Sequence, residues 1–288
     1  MNQPLVTPFF DDSSNTFSYV VQDPQSSSCA IIDSVLDFDF AAGRTSTHSA
    51  SKILDFVLEN ALTVEWVLET HVHADHLSAA PWLAKETNAK LGIGNRIIEV
   101  QEIFGKVFNS GTEFERDGSQ FDALFEDDTE FRIGSLDVRV IHTPGHTPAC
   151  VTYVIGDAAF VGDTLFMPDF GSARCDFPGG DPRVLYQSAQ RILSLPDETR
   201  IFVCHDYATS TRSKVAYITS VEEQKAKNIH VGGEADEDSF VTMRTERDNK
   251  LSMPKLIIPA VQVNMRAGRM PPASSDGNVY LKVPLNVL

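Results

Sequence analysis

Four metal-binding side chains crowd into six consecutive positions, His71-Val72-His73-Ala74-Asp75-His76, directly behind an apolar run at residues 64–70. That run reads as a buried strand, so the four ligands emerge together at a strand end. Residues two apart on extended backbone point to the same side, which lets His71 and His73 face one cation. Asp75 and His76 curl back in the following turn, where Ala74 leaves room. In α/β chains, crevices form outside the carboxyl ends of strands, and loop residues there project into a shared site.

Three further ligand types stand at equivalent places. His146 lies in Thr143-Pro144-Gly145-His146-Thr147, Asp163 follows the strand-like run 158–162, and His205 follows 201–204. Gly145 and Gly162 each precede a ligand, where the absence of Cβ permits a sharp turn or a close backbone approach. A single histidine after a strand is more often a hydrogen-bonded structural residue than a ligand. Here five of the eight histidines occupy such turns beside two aspartates, a coincidence that packing does not explain. His48, His142 and His230 have no such setting and read as structural or solvent-facing.

The rest of the chain supplies the frame for this convergence. Residues 16–21 and 29–35 read as a hairpin around Asp23, Pro24 and Ser26 to Ser28. From Ser49 a helical stripe of Ile53, Leu54, Val57 and Leu58 leads into the strand 64–70. A helix at 79–87, a strand at 90–94, a helix at 97–108 and a polar loop at 109–128 complete the first half. Strands at 130–133, 136–142, 151–155 and 158–162 open the second. A helix then starts at Asp181-Pro182 with Leu185, Ala189, Ile192 and Leu193 on its apolar stripe, and a strand follows at 200–204. Two β-rich halves, each ending in a β-α-β unit, predict two sheets face to face with helices outside, an α/β four-layered αββα sandwich. After Ser213 the chain is helical and charged to 249. The proline-rich stretch 250–288 is expected to wrap a single domain spanning 1–288, and it is a candidate homodimer contact.

The net charge of −16 and the lack of a basic cluster exclude a nucleic-acid partner, since such proteins need a cationic face. An anionic substrate would need its own local cation against that background. Four widely spaced cysteines, Cys29, Cys150, Cys175 and Cys204, fit reduced thiols in the cytoplasm. The first residues lack a basic and apolar leader pattern, and no run of about 18 apolar residues exists to enter a membrane.

The ligands alone suffice for two ions: His71, His73 and His146 for one, Asp75, His76 and His205 for the other, with Asp163 bridging. A dinuclear zinc hydrolase that activates water against a thioester or lactone would present this set. Taken together, His71-Val72-His73-Ala74-Asp75-His76, Pro144-Gly145-His146, Gly162-Asp163 and Cys204-His205-Asp206 resemble the metal motifs of the metallo-β-lactamase superfamily. Within it, Gly171-Ser172-Ala173-Arg174-Cys175-Asp176-Phe177, His205-Asp206-Tyr207, Val221-Glu222-Glu223 and Asn264-Met265-Arg266 resemble the glutathione persulfide dioxygenases, over residues 17–268.

That resemblance implies a fold of the metallo-β-lactamase type and one Fe(II) per chain on His71, His146 and Asp163, a two-histidine, one-carboxylate face with open positions. The substrates it implies are glutathione persulfide and O2, yielding sulfite and glutathione. His73, Asp75, His76 and His205 then orient the ligands from outside. Arg174 is the family-matched cation for the glutathione carboxylate. Thr147 and Tyr207 offer hydroxyls to substrate or bound oxygen, with Tyr207 close to the metal and catalytic. Two departures bear on substrate binding: His230 stands where many relatives carry Arg, and Cys175 replaces a common Thr.

Overall fold

The computed structural model describes residues 3–210 and 212–287. One mixed sheet has the order β1 (Leu5–Asp11), β2 (Thr16–Gln22), β3 (Ser28–Ile32), β6 (Thr63–Leu68), β8 (Lys90–Gly94), β9 (Ala123–Phe125). Between β3 and β6 the chain forms β4 (Val35–Asp39) and β5 (Arg44–Ser46), which join β7 (Leu77–Ser78) in a small three-stranded sheet. The second large sheet runs β10 (Glu130–Ile133), β11 (Leu136–His142), β12 (Val151–Ile155), β13 (Ala158–Phe160), β14 (Arg200–Phe202), β15 (Ile218–Ser220). The expected hairpin is present as antiparallel β2 and β3. Four crossovers give parallel neighbours: β3 beside β6, β6 beside β8, β8 beside β9, and β13 beside β14.

Alternation along the strands builds the layers. Tyr19 and Val21 of β2, with Ala30 and Ile32 of β3, face Val138, Val140, Tyr153 and Phe160 of the second sheet. The intervening Val20 and Ile31 point the other way, onto α1 (His48–Glu59), α2 (Ala80–Thr87) and α3 (Ile97–Val107) through Ile53, Leu83 and Val100. On the far side, Val161, Ile201 and Val203 pack beneath α4 (Pro182–Leu193), α5 (Val221–Lys227) and α6 (Glu237–Asp248) through Leu185, Val221 and Phe240. This is the αββα sandwich, its two sheets buried on both faces. Asp181 caps α4 as its sequence predicts, accepting from the amides of Arg183 and Val184.

Several features differ from the sequence reading: the small strands β4, β5 and β7 have no counterpart in it, and β15 pairs with β14 inside the stretch after Ser213 expected to be helical. Strand β1 precedes the hairpin: the run 5–11, interrupted by Pro8, is an edge strand paired only with β2. Strand β9 lies inside the predicted loop 109–128. The predicted strand 29–35 breaks at Asp33, which adopts φ of +53° and turns its carboxylate into the protein. The stretch beyond 250 carries a helix, α7 (Ile257–Asn264), whose Ala260 and Val263 pack on Leu77; its prolines hid it. Beyond α7 the chain returns over it, where Lys282 N–H donates to Gln262 Oε1 at 2.8 Å. Among the described residues no helix is long and apolar enough to cross a membrane. All four cysteines are free and buried.

Candidate metal centre

Strands β6, β11, β13 and β14 end at one edge of the sandwich, and the loops that follow carry His71 to His76, His146, Asp163 and His205. All seven predicted ligands meet there. Donor atoms of His71, His146 and Asp163 lie within 4.8 Å of one another, as do those of His73, Asp75 and His76. The Asp163 carboxylate spans the two groups: Oδ2 is 3.6 Å from His146 Nε2, and Oδ1 is 3.3 Å from His205 Nε2. His205 Nε2 is also 3.6 Å from Asp75 Oδ2.

Each imidazole is held by one nitrogen. His71 Nδ1 meets Thr70 Oγ1 at 2.9 Å, and His76 Nδ1 meets the Leu77 carbonyl at 3.0 Å. His146 Nδ1 meets the Arg174 carbonyl at 2.7 Å. His73 uses the opposite nitrogen, Nε2, against Asp33 Oδ1 at 3.0 Å and Glu69 Oε2 at 3.3 Å. The remaining imidazole atoms, His71 Nε2, His73 Nδ1 and His76 Nε2, are buried without a hydrogen-bond partner, and the buried Asp163 Oδ1 has only the ion-pair contact to His205. Leaving such groups unmade is costly, so these converging atoms of ligand type fit a metal-ion cradle.

Electrostatics point the same way. Burial, then the neighbouring imidazoles, hold His71 well below the usual histidine range, and the same forces pull His76 down to about 4. Neutral imidazoles are what metal ions bind. Burial would raise Asp75, yet His205 and His76 hold it at about 2, as a carboxylate. His73 goes up despite burial because Asp33 and Glu69 sit against it. The glycines before the ligands are required: a Cβ on Gly145 (φ +133°) would lie 2.3 Å from Leu185 Cα, and one on Gly162 (φ +50°) 2.6 Å from Thr70 Oγ1.

Sequence reasoning missed the residues that aim these ligands. Asp33 accepts from Thr70 N–H and Oγ1, both at 2.8 Å, as well as meeting His73, so it fixes two ligands from one position. Asn264 on α7 donates to the carbonyls of His73 and His76, at 2.9 and 2.8 Å, and accepts from Ser78 N–H at 2.8 Å. Neither sits in a ligand-like motif; the only signal was Asn264 within Asn264-Met265-Arg266.

Above the ligands opens a cavity of about 850 Å³ whose walls include Phe38, Phe40, Phe166, Phe170 and Tyr207. The Tyr207 ring stacks 6.0 Å from the His205 ring and remains 45% exposed at the cavity wall; the partial burial of its inner side, then the Asp163 and Asp75 charges, push its phenol up, so the hydroxyl stays protonated. Of the expected substrate contacts, Arg174 and Tyr207 line the cavity and Thr147 does not. Arg174 lines the cavity, but Asp176 fills its guanidinium fork with two contacts of 2.6 Å, and its Nη1 donates to the Ser252 carbonyl at 2.7 Å. Thr147 is absent from the cavity wall; its hydroxyl is 3.1 Å from Cys150 Sγ, within its own tight turn. His230 is buried against Gly171 and Ser172, and His142 Nε2 meets the Phe125 carbonyl, both structural as expected.

A two-sheet sandwich with a histidine- and aspartate-lined cradle at the strand ends defines a metal-dependent enzyme class. The metallo-beta-lactamase superfamily profile matches residues 12–205, and the chain belongs to that superfamily. It is 50% identical to a probable metallo-hydrolase of Burkholderia pseudomallei, over 97% of this chain and 98% of that one. It is 48% identical to glyoxylase B2 of Dictyostelium discoideum, over 100% and 99%. Human persulfide dioxygenase ETHE1, mitochondrial, is 29% identical over 94% of this chain and 91% of its own. Among solved structures, ETHE1 from Myxococcus xanthus superposes with a TM-score of 0.73 at 30% identity, over 92% of this chain and 100% of the other.

Proposed function

We propose that the protein is a persulfide dioxygenase that converts glutathione persulfide, O2 and water to glutathione and sulfite. The balance is GSSH + O2 + H2O → GSH + H2SO3, with the outer sulfur oxidised and O2 reduced. The observation that carries this reading is the grouping of His71, His146 and Asp163 within 4.8 Å of one another, with His146 and Asp163 opening onto an aromatic-walled cavity. Two histidines and one carboxylate suit a single Fe(II) with open positions. The likeness to ETHE1 over the whole of that solved chain supports it. Bound there, iron(II) would supply the one-electron chemistry with O2 that no protein side chain provides.

The chain's own groups do the rest. Thr70 and the Arg174 carbonyl fix the tautomers of His71 and His146 so that both Nε2 atoms face the cradle. Phe166, Phe170 and Tyr207 wall the cavity above the ligands and limit water around the sulfur. The protonated Tyr207 hydroxyl is a hydrogen-bond donor for substrate at the open side.

A second reading rests on a specific observation. His73 Nδ1 and His76 Nε2 are orphaned too, and Asp163 reaches both groups, which suits a dinuclear zinc hydrolase of the glyoxalase II or lactonase type. The names of the Burkholderia and Dictyostelium relatives accord with it. Elemental analysis of the purified protein with an oxygen-electrode trace separates the two. About one iron per chain and persulfide-dependent O2 uptake is the expected result; two zinc ions, no O2 uptake and turnover of S-lactoylglutathione would establish the hydrolase.

A further inference from the structure

A substrate whose sulfur reaches the cavity floor must be held at its other end, and in a chain of net charge −16 an anionic end needs a local receptor. Among the described residues the cavity wall carries carboxylates only at Asp75 and Asp163, in the metal cradle, whereas Arg174, Arg244, Arg247 and Lys255 also line it. Two of these cations are already neutralised. Asp176 takes Arg174 at 2.6 Å, and Asp248 takes the buried Arg244 at 2.5 Å. Among the described residues Arg247 and Lys255 form no ion pair, and both side chains are exposed at the mouth.

The contact that Arg247 does make leaves it wanting an acceptor. Its Nη1 lies 3.2 Å from His230 Nε2, while His230 Nδ1 accepts from Ser172 N–H at 2.9 Å. A neutral imidazole has one acceptor nitrogen; with Nδ1 accepting, the ring proton sits on Nε2. Two donors therefore face each other, and an anion there would satisfy the guanidinium. Ser172 holds His230 beside Arg247, and the Arg174 carbonyl holds His146, so the short segment 172–174 links the Arg247 side of the cavity to the metal cradle.

We infer that Arg247 and Lys255 are the carboxylate receptor of the cavity, replacing Arg174 in that role, and that they select anionic peptide thiols of the glutathione class. The identity of the thiol rests on the persulfide reading above; the anion receptor does not. The test is calorimetric titration of the metal-loaded protein with glutathione and with glutathione diethyl ester, which lacks both carboxylate charges. The wild type should bind glutathione at least ~10-fold more tightly than the ester, and the double variant Arg247→Ala/Lys255→Ala should bind the two alike with an unchanged thermal midpoint. If the double variant binds glutathione as tightly as the wild type does, or the wild type shows no preference over the ester, the inference is overturned. A wild type that prefers glutathione yet takes up no O2 with its persulfide supports the receptor and removes only the dioxygenase.

Discussion

Asp33 Oδ1 lies 3.0 Å from His73 Nε2, and the same carboxylate receives Thr70, whose hydroxyl meets His71 Nδ1. One residue outside every recognisable motif thereby orients two ligands. Removing it should unlock both rings while leaving their chemistry present. Asp33→Ala is expected to weaken metal binding about 10- to 100-fold, with Asp33→Asn intermediate. Competition against a calibrated chelator measures this; full wild-type affinity in the alanine variant would show that Asp33 serves folding alone.

His76 separates the one-ion and two-ion readings. If a single iron sits on His71, His146 and Asp163, His76→Ala should retain about one metal per chain. A two-ion site predicts a fall from about two to about one. Metal-to-protein ratios on parallel preparations decide between them.

Asn264 ties helix α7 to the ligand loop through three buried hydrogen bonds. Asn264→Ala leaves two carbonyls and an amide unpaired, so a loss of about 3 kcal/mol of stability is expected. Because two of those carbonyls belong to His73 and His76, metal should also dissociate faster from the folded variant. A lowered thermal midpoint with an unaltered metal off-rate would confine Asn264 to stability.

Asp23 joins the turn after β2 to the β10–β11 turn of the other sheet. Burial acts to raise its pKa, but hydrogen bonds from Ser135, Gln25 and Ser26 hold it at about 2, against an ordinary 3.8. A folded-state pKa below the unfolded one stabilises the protein fully above about pH 4, and that stabilisation disappears as pH falls through about 2. Asp23→Asn should therefore cost about 2 kcal/mol at pH 6 and distinctly less at pH 3, read from urea midpoints at each pH. An equal penalty at both would mean that the charge is irrelevant.

The sandwich and its ligands were legible because their signals are local. Strand alternation at 16–21 and 151–155, the Asp181-Pro182 helix start, and ligand residues placed immediately after apolar runs each depend on near neighbours. Strand β1 and strand β9 were not: both are edge strands that gain stability from their one partner rather than from their own pattern, and the three residues of β9 are too few to show alternation. Helix α7 was obscured by Pro254 and Pro259, which read as breakers until Leu77 and Asn264 give the helix its place.

By itself the sequence determined which side chains can bind metal and at which strand ends they emerge, because residue chemistry and the two-residue strand period are written along the chain. Only the tertiary structure decided which nitrogen of each histidine is free, that Asp33 and Asn264 aim the ligand loop, and that Arg174 is claimed by Asp176 while Arg247 is not. Those outcomes depend on which polar groups meet after the sheets close, over separations such as the forty residues from Asp33 to His73 that no local pattern encodes.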